Sequence, residues 1–205
     1  PALFGSEQLK VVAAPRVSTA FRDKERHNPL IAAMVERCVQ ATPGNVVVYF
    51  SSFDRLAEVA ALWSFDDREV LLQERRMSEE QRQAFLGRLS SGEGALVVGA
   101  VLGGIFAEGI DLPAGSLSSV IIVGPAFPPI GLERELLSAY FEEHFGQGFL
   151  YASLVPGLRR VVQAAGRLVR REEDRGVVVL VGKRFRWREI QKLMPEEWNI
   201  VFSDV

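Results

Sequence analysis

A single cysteine, Cys38, stands among 205 residues, which excludes an internal disulfide and any metal site built from several thiolates. Histidine is almost as scarce. His27 and His144 are the only two, and both fall in polar contexts at the edges of predicted helices. No Ser/His/Asp set or His/carboxylate cluster is therefore present to run a complete small-molecule enzyme. No apolar run approaches the roughly 18 to 20 residues of a membrane span, and the first residues lack the basic and apolar regions of a signal peptide. The expectation is a cytoplasmic chain with no membrane partner. A G-x-x-x-x-G-K-[ST] phosphate loop is missing as well: Val181-Gly-Lys183-Arg lacks the upstream glycine and the hydroxyl residue after lysine. No acidic magnesium box follows a strand, so no metal ligand is assigned. The net charge of −2 provides no global field for nucleic acid, and any such binding needs a local patch. The first residue is Pro1 rather than Met, which carries the expectation of a fragment of a longer chain.

What is present is apolar patterning. Hydrophobic residues make up 48% of the chain, ample for a core. Val46–Phe50, Ala95–Val98, Ser119–Val123 and Val177–Val181 are continuous apolar runs rich in β-branched residues, the pattern of strands covered on both faces. Leu9–Ala13 and Glu69–Leu72 are weaker strand candidates. Between them the spacing predicts helices. One starts at Asn28 and Pro29 as N-cap and first residue and stops at Thr42-Pro43-Gly44. Ser78 with Gln81 forms a capping box ahead of Phe85, Leu86 and Leu89. Leu132–His144, Pro156–Arg171 and Arg186–Leu193 are the others. Cys38 falls on the apolar face of the first helix with Leu30, Ile31, Met34 and Val35, as an inert buried thiol. The β-α alternation gives an α/β fold, a doubly wound, mainly parallel sheet with helices on both faces. It is expected to form one domain over 1–205 with its core at about 10–185.

Three segments carry candidate chemistry. Continued as an ideal helix, Gln163-Ala-Ala-Gly166-Arg167-Leu-Val-Arg170 puts Gln163, Arg167 and Arg170 on one stripe with Gly166 beside it. Leu158, Val161, Val162, Ala165, Leu168 and Val169 hold the opposite face. Two guanidiniums, an amide and bare backbone suit capture of phosphate oxygens; a solvated charged face is the alternative. The second segment is Gly103-Gly-Ile-Phe-Ala-Glu108-Gly109-Ile-Asp111-Leu-Pro113, directly after a strand. Its glycines allow close backbone approach, and Glu108 and Asp111 offer acceptors for a ribose hydroxyl or a magnesium-bound water; a tight turn with a helix cap is the alternative. The third is Phe50-Ser51-Ser52-Phe53, whose hydroxyls and following helix start can hold a phosphate or simply form a serine cap. Both loops lie beyond strand carboxyl ends, where ligands bind in such sheets.

In sequence, order and spacing, these segments together with Val120-Ile-Ile-Val-Gly-Pro-Ala-Phe-Pro-Pro129 resemble motifs IV, V and VI in the second, RecA-like motor domain of XPD/DinG-type superfamily 2 DNA helicases. Ala107 and Pro125-Ala126 depart from the family's usual Ser and Leu-Pro. The resemblance implies a P-loop NTPase-like fold and the C-terminal half of an ATP hydrolase. ATP with Mg²⁺ would be shared with the N-terminal RecA-like domain of the same protein. Arg167 and Arg170 would be arginine fingers and Gln163 a partner of the phosphate or attacking water. Gly109, Asp111, Glu108 and Gly166 would line the nucleotide, and Phe50, Ser51, Ser52 and Gly104 would lie along single-stranded DNA. The family's iron–sulfur cysteines belong to the first half, so no cluster is expected in this chain. The rival from another class is a non-catalytic doubly wound module that binds a nucleotide or a protein partner through the same loops.

Overall fold

A computed structural model describes residues 8–91, 95–104, 106, 115–169, 171 and 173–203. Seven strands form one sheet: β1 (Leu9–Ala14), β2 (Val46–Phe50), β3 (Glu69–Leu72), β4 (Leu96–Val101), β5 (Ser119–Val123), β6 (Gly176–Val181) and β7 (Val201–Phe202). Their order is β3-β4-β2-β5-β6-β1-β7, and every pairing is parallel. A parallel pair needs a crossover between its strands, and these run as helices over both faces. Helices α1 (Lys24–Gln40) and α2 (Phe53–Ala60) cover one face. Their Ile31, Met34, Val35, Val39, Leu56 and Val59 pack with Val46, Val48, Phe50, Ile121 and Val181. On the other face lie α3 (Glu79–Ser90), α5 (Val155–Ala165) and α6 (Arg188–Leu193), where Phe85, Leu89, Leu158, Val161 and Ile190 meet Val47, Tyr49, Val98, Ile122 and Leu180. Alternate residues of each central strand enter opposite cores, as the pleat requires. Helix α4 (Leu132–Phe145) buries none of its own residues.

The six strands expected from the sequence are present, and β7 is an addition at the edge. Its two residues carry no periodic signal. Two helices differ from expectation. Helix α1 begins at Lys24 and keeps Pro29 inside it. Instead of capping, Asn28 is buried and its Nδ2 donates to Glu58 Oε2 at 3.0 Å, while the Lys24 ammonium bonds the same carboxylate. That α1–α2 junction extends the helix one turn ahead of the proline. Leu30, placed on the apolar face by pattern, is half exposed.

Helix α5 stops at Ala165, not at Arg171. The next amides bond three residues back, from Arg167 to Ala164 at 3.3 Å and from Leu168 to Ala165 at 3.1 Å. The cause is packing. Leu168 and Val169 are buried, and Leu168 fills the space beside Gly176 that a Cβ there would need. Gly166, without a side chain to hold the helix, is where the chain tightens and turns.

Asn45 staples the sheet from just before β2. Its Oδ1 accepts from the Leu96 amide at 2.9 Å and its Nδ2 donates to the Ser116 carbonyl at 2.9 Å. Asn45→Ala orphans two backbone groups, each costing about 1–3 kcal/mol. Urea denaturation should show roughly 2–6 kcal/mol less stability; an unchanged midpoint would show that the staple contributes nothing.

Candidate functional site

All six main strands end at one edge of the sheet, and the loops there assemble the site. After β4 the chain turns at Gly103, whose φ of +77° lies in the left-handed region. Arg160 of α5 lies across this residue, with its Nε 3.0 Å from where a Cβ would stand. Gly104 is held close by Gln73, whose Nε2 is 2.9 Å from the equivalent point. Gln73 is buried, and its Oε1 accepts from the Val101 amide at 2.9 Å. The Tyr49 hydroxyl donates to the Phe106 carbonyl at 3.0 Å, and the Phe106 ring packs 4.3 Å from Phe85. The first half of this loop is therefore fixed from below by Tyr49 and from the side by Gln73 and Arg160. Glu108, Gly109 and Asp111 lie outside the described residues.

After β2, Phe50 is wholly buried, and its carbonyl accepts from the Leu102 amide at 2.9 Å. Its side chain is an anchor of the loop and reaches no surface. Ser51 is exposed. The Ser52 hydroxyl accepts from the Arg55 amide at 3.2 Å and caps α2, so the plain capping role is the one it fills in this structure.

The stripe of Gln163, Arg167 and Arg170 is not a helical stripe, because α5 ends before Arg167. Gln163 is exposed on the last turn and opens, with Arg159, Val162 and Met194, onto a groove of about 350 Å³ between α5 and α6. Gly166 is exposed at the turn and Arg167 is half-buried. Arg170 lies outside the described residues. Arg167 is near enough to Tyr49 to act on its ionisation: burial pushes the Tyr49 phenol up to about 12, and the Arg167 charge opposes that rise. The turn after α5 and the loop after β4 thus converge on one buried tyrosine. Gln73, Arg160 and Tyr49 were not picked out from the sequence, since a single glutamine after a weak strand carries no motif. The expectation of an inert Cys38 agrees with its partial burial, which raises its pKa. The His27 Nδ1 accepts from the Ser18 amide at 3.3 Å, and His144 pairs with the Tyr140 carbonyl at 2.9 Å. Among the described residues no cluster of three His, Cys, Asp or Glu side chains is placed to hold a metal. No helix among them is long and apolar enough to cross a membrane.

Comparison with known proteins agrees with this architecture. A family model for the helicase C-terminal domain matches residues 35–200, and the chain belongs to that family. It is 31% identical over 157 residues to the ATP-dependent DNA helicase DinG of Photobacterium profundum, covering 72% of this chain and 22% of that protein. It is 30% identical over 183 residues to a probable ATP-dependent helicase of Methanocaldococcus jannaschii, covering 80% of this chain and 26% of the relative. The chain thus spans about a quarter of the length of these relatives. Its fold matches a solved XPD helicase with a TM-score of 0.73 at 23% identity, over 95% of this chain and 35% of the other. A second XPD structure, in its apo form, gives 0.76 at 22% identity over 97% and 40%.

Tyr49 yields a pH prediction. Its phenol is raised from the ordinary value near 10 to about 12, so the stability it contributes is fully present below about pH 10 and is lost as pH rises toward 12. Tyr49→Phe should remove that part of the alkaline decline, at a cost of about 1–3 kcal/mol at neutral pH for the orphaned Phe106 carbonyl. Parallel denaturation series would contradict this if both proteins lost stability equally across that alkaline range.

Proposed function

We propose that this chain is the C-terminal motor half of an ATP-dependent DNA helicase. The observation that carries the proposal is the family match over residues 35–200, which takes in all three chemistry-bearing segments. In this reading Arg167 and Arg170 are arginine fingers, and Gln163 holds the phosphate or attacking-water region. Gly109, Asp111, Glu108 and Gly166 line the nucleotide. Phe50, Ser51, Ser52 and Gly104 border single-stranded DNA, with Phe50 acting through the loop it anchors. ATP with Mg²⁺ supplies the phosphoryl group whose transfer drives the motor. The residues present suit one side of such a site and not the whole of it: guanidiniums, an amide and glycine backbone, with no phosphate loop and no acidic box. The phosphate cradle and metal ligands would come from the N-terminal RecA-like domain.

The arginines' role follows from charge. A planar guanidinium neutralises the equatorial oxygens of the transferring phosphoryl, an effect worth about 10³ to 10⁵ in rate where fingers have been removed. Gln73 and Arg160 hold the glycine turn, and Tyr49 holds Phe106, so the backbone presented to ligand is fixed before binding. Contacts made by amides and hydroxyls grip phosphates without reading bases, which suits a motor that moves along any sequence.

The test is DNA-stimulated ATP hydrolysis by the full-length protein. Arg167→Ala should lower kcat by roughly 10² with ATP affinity within a few-fold, and Arg167→Lys should fail nearly as badly. Arg171→Ala should stay close to the unaltered protein, and the isolated chain should hydrolyse no ATP above background. Equal kcat in the Arg167 and Arg171 variants would end the arginine-finger assignment.

A further inference from the structure

The carboxyl ends of β1 and β6 carry a basic and aromatic surface that none of the three motifs includes. The loop after β1 presents Phe21 at 82% exposure and Arg22 with its side chain 87% exposed. The 3-10 turn Lys183–Arg186 after β6 presents Lys183 and Arg184, with Trp187, 40% exposed, next in the chain. These two loops are one surface. Asp23 stands between Arg22 at 3.8 Å and Lys183 at 3.7 Å. The Lys183 amide donates to the Val17 carbonyl at 2.8 Å. Cations and rings alternate across it. Lys24 Nζ lies 5.0 Å from the Phe21 ring, and the Arg184 guanidinium lies 5.4 Å from Phe127 and 5.7 Å from Trp187.

The local charge runs against that of the chain. In the two segments that carry this edge, residues 21–26 and 183–189, the sequence has Arg22, Lys24, Arg26, Lys183, Arg184, Arg186 and Arg188 against the carboxylates of Asp23, Glu25 and Glu189, with Glu58 bonded to Lys24. Yet the whole protein carries a net charge of −2. Two of those carboxylates are already engaged. Asp23 is held in its charged form by the Ser18 hydroxyl first and then by its cationic neighbours, and Glu58 by Lys24 and Asn28. Arg55, at the start of α2 between this surface and Ser51-Ser52, is buried with Nε and Nη2 unpartnered, and the charges of Glu58 and Asp23 act on it.

The surface is also built to hold its shape. Thr19 seats against Gly124 and Gly182, the residues that end β5 and β6 at φ of +77° and +135°. A Cβ on Gly124 would stand 2.7 Å from the Thr19 hydroxyl, so only glycine there lets the loop close down. From the β2 end to the β1 end is three strand spacings, about 14 Å, within the reach of a few nucleotides.

We propose that this edge is a second single-stranded nucleic-acid contact, with Phe21 and Trp187 stacking on bases and Arg22, Lys183 and Arg184 taking phosphates. Interleaved rings and cations are what a sequence-tolerant strand needs, because every base has a π-face and every linkage a charge. The proposal rests on the DNA-motor reading above and extends its strand path from Ser51-Ser52 across β5 and β6 to β1.

The experiment is fluorescence anisotropy of a labelled long oligothymidylate and a short one with this chain across a salt series. Phe21→Ala should weaken the long oligonucleotide about tenfold, and Phe21→Trp should restore it. Arg22→Ala with Lys183→Ala should flatten the log–log salt slope by about 1.4, the loss of two phosphate contacts on a single strand. Circular dichroism of each variant should match the unaltered chain, as expected for exposed residues. Ser51→Asp tests the original path separately and should weaken both oligonucleotides. If Ser51→Asp weakens binding while the Phe21 and Lys183 variants bind normally, the second contact is overturned and the motor reading stands. If the unaltered chain binds neither oligonucleotide, both fall. Binding to anionic vesicles through the same residues, without binding to oligonucleotide, would overturn the nucleic-acid assignment in favour of a lipid surface.

Discussion

Strands β2, β4 and β5 are buried along their whole length, and each pairs only in parallel with its neighbours. A parallel sheet cannot leave a face in water, so every strand must be followed by a segment that crosses back over one face before the next begins. The consequence is directional. All the strand carboxyl ends gather at one edge, and the loops there are the parts of the chain freed from packing. The glycine turn after β4, the serine loop after β2 and the basic surface after β1 and β6 are neighbours for that reason alone. Chemistry follows topology here, and the site is distributed over segments far apart in sequence.

The strands were legible because burial on both faces leaves its mark as unbroken Val and Ile runs, and Val46–Phe50 and Ser119–Val123 appear as read. The capping box of Ser78 and Gln81 is also present as read. Where pattern misled, tertiary packing had the stronger hand. An apolar arc continues through Leu168 and Val169, so periodicity carried α5 onward; the same two side chains are buried only because the helix stops and the chain turns them under β6. Asn28-Pro29 is a good helix start on local grounds, but the junction with Glu58 of α2 extends α1 beyond it. Neither effect can be read locally, since each depends on a partner distant in sequence.

The candidate site residues stood out in the sequence as motifs, and the residues that support them in the fold did not. Gln163, Arg167 and Gly104 announced themselves by spacing. Gln73, Tyr49 and Arg160, which hold the loop they would work beside, announced nothing, because a residue that supports a backbone needs only the right position in space. The convergence of Arg167 and Phe106 on Tyr49 gives the turn after α5 a physical link to the loop after β4.

The proposed function treats this chain as one side of a nucleotide site, because its sequence has neither a phosphate loop nor an acidic box. Calorimetric titration of the chain alone with magnesium-bound ATP measures that incompleteness directly. A few contacts from one wall predict a dissociation constant on the order of 1 mM or weaker. A value on the order of 1 μM would mean that the chain holds a complete nucleotide site by itself, and would contradict its assignment as one half of a shared one.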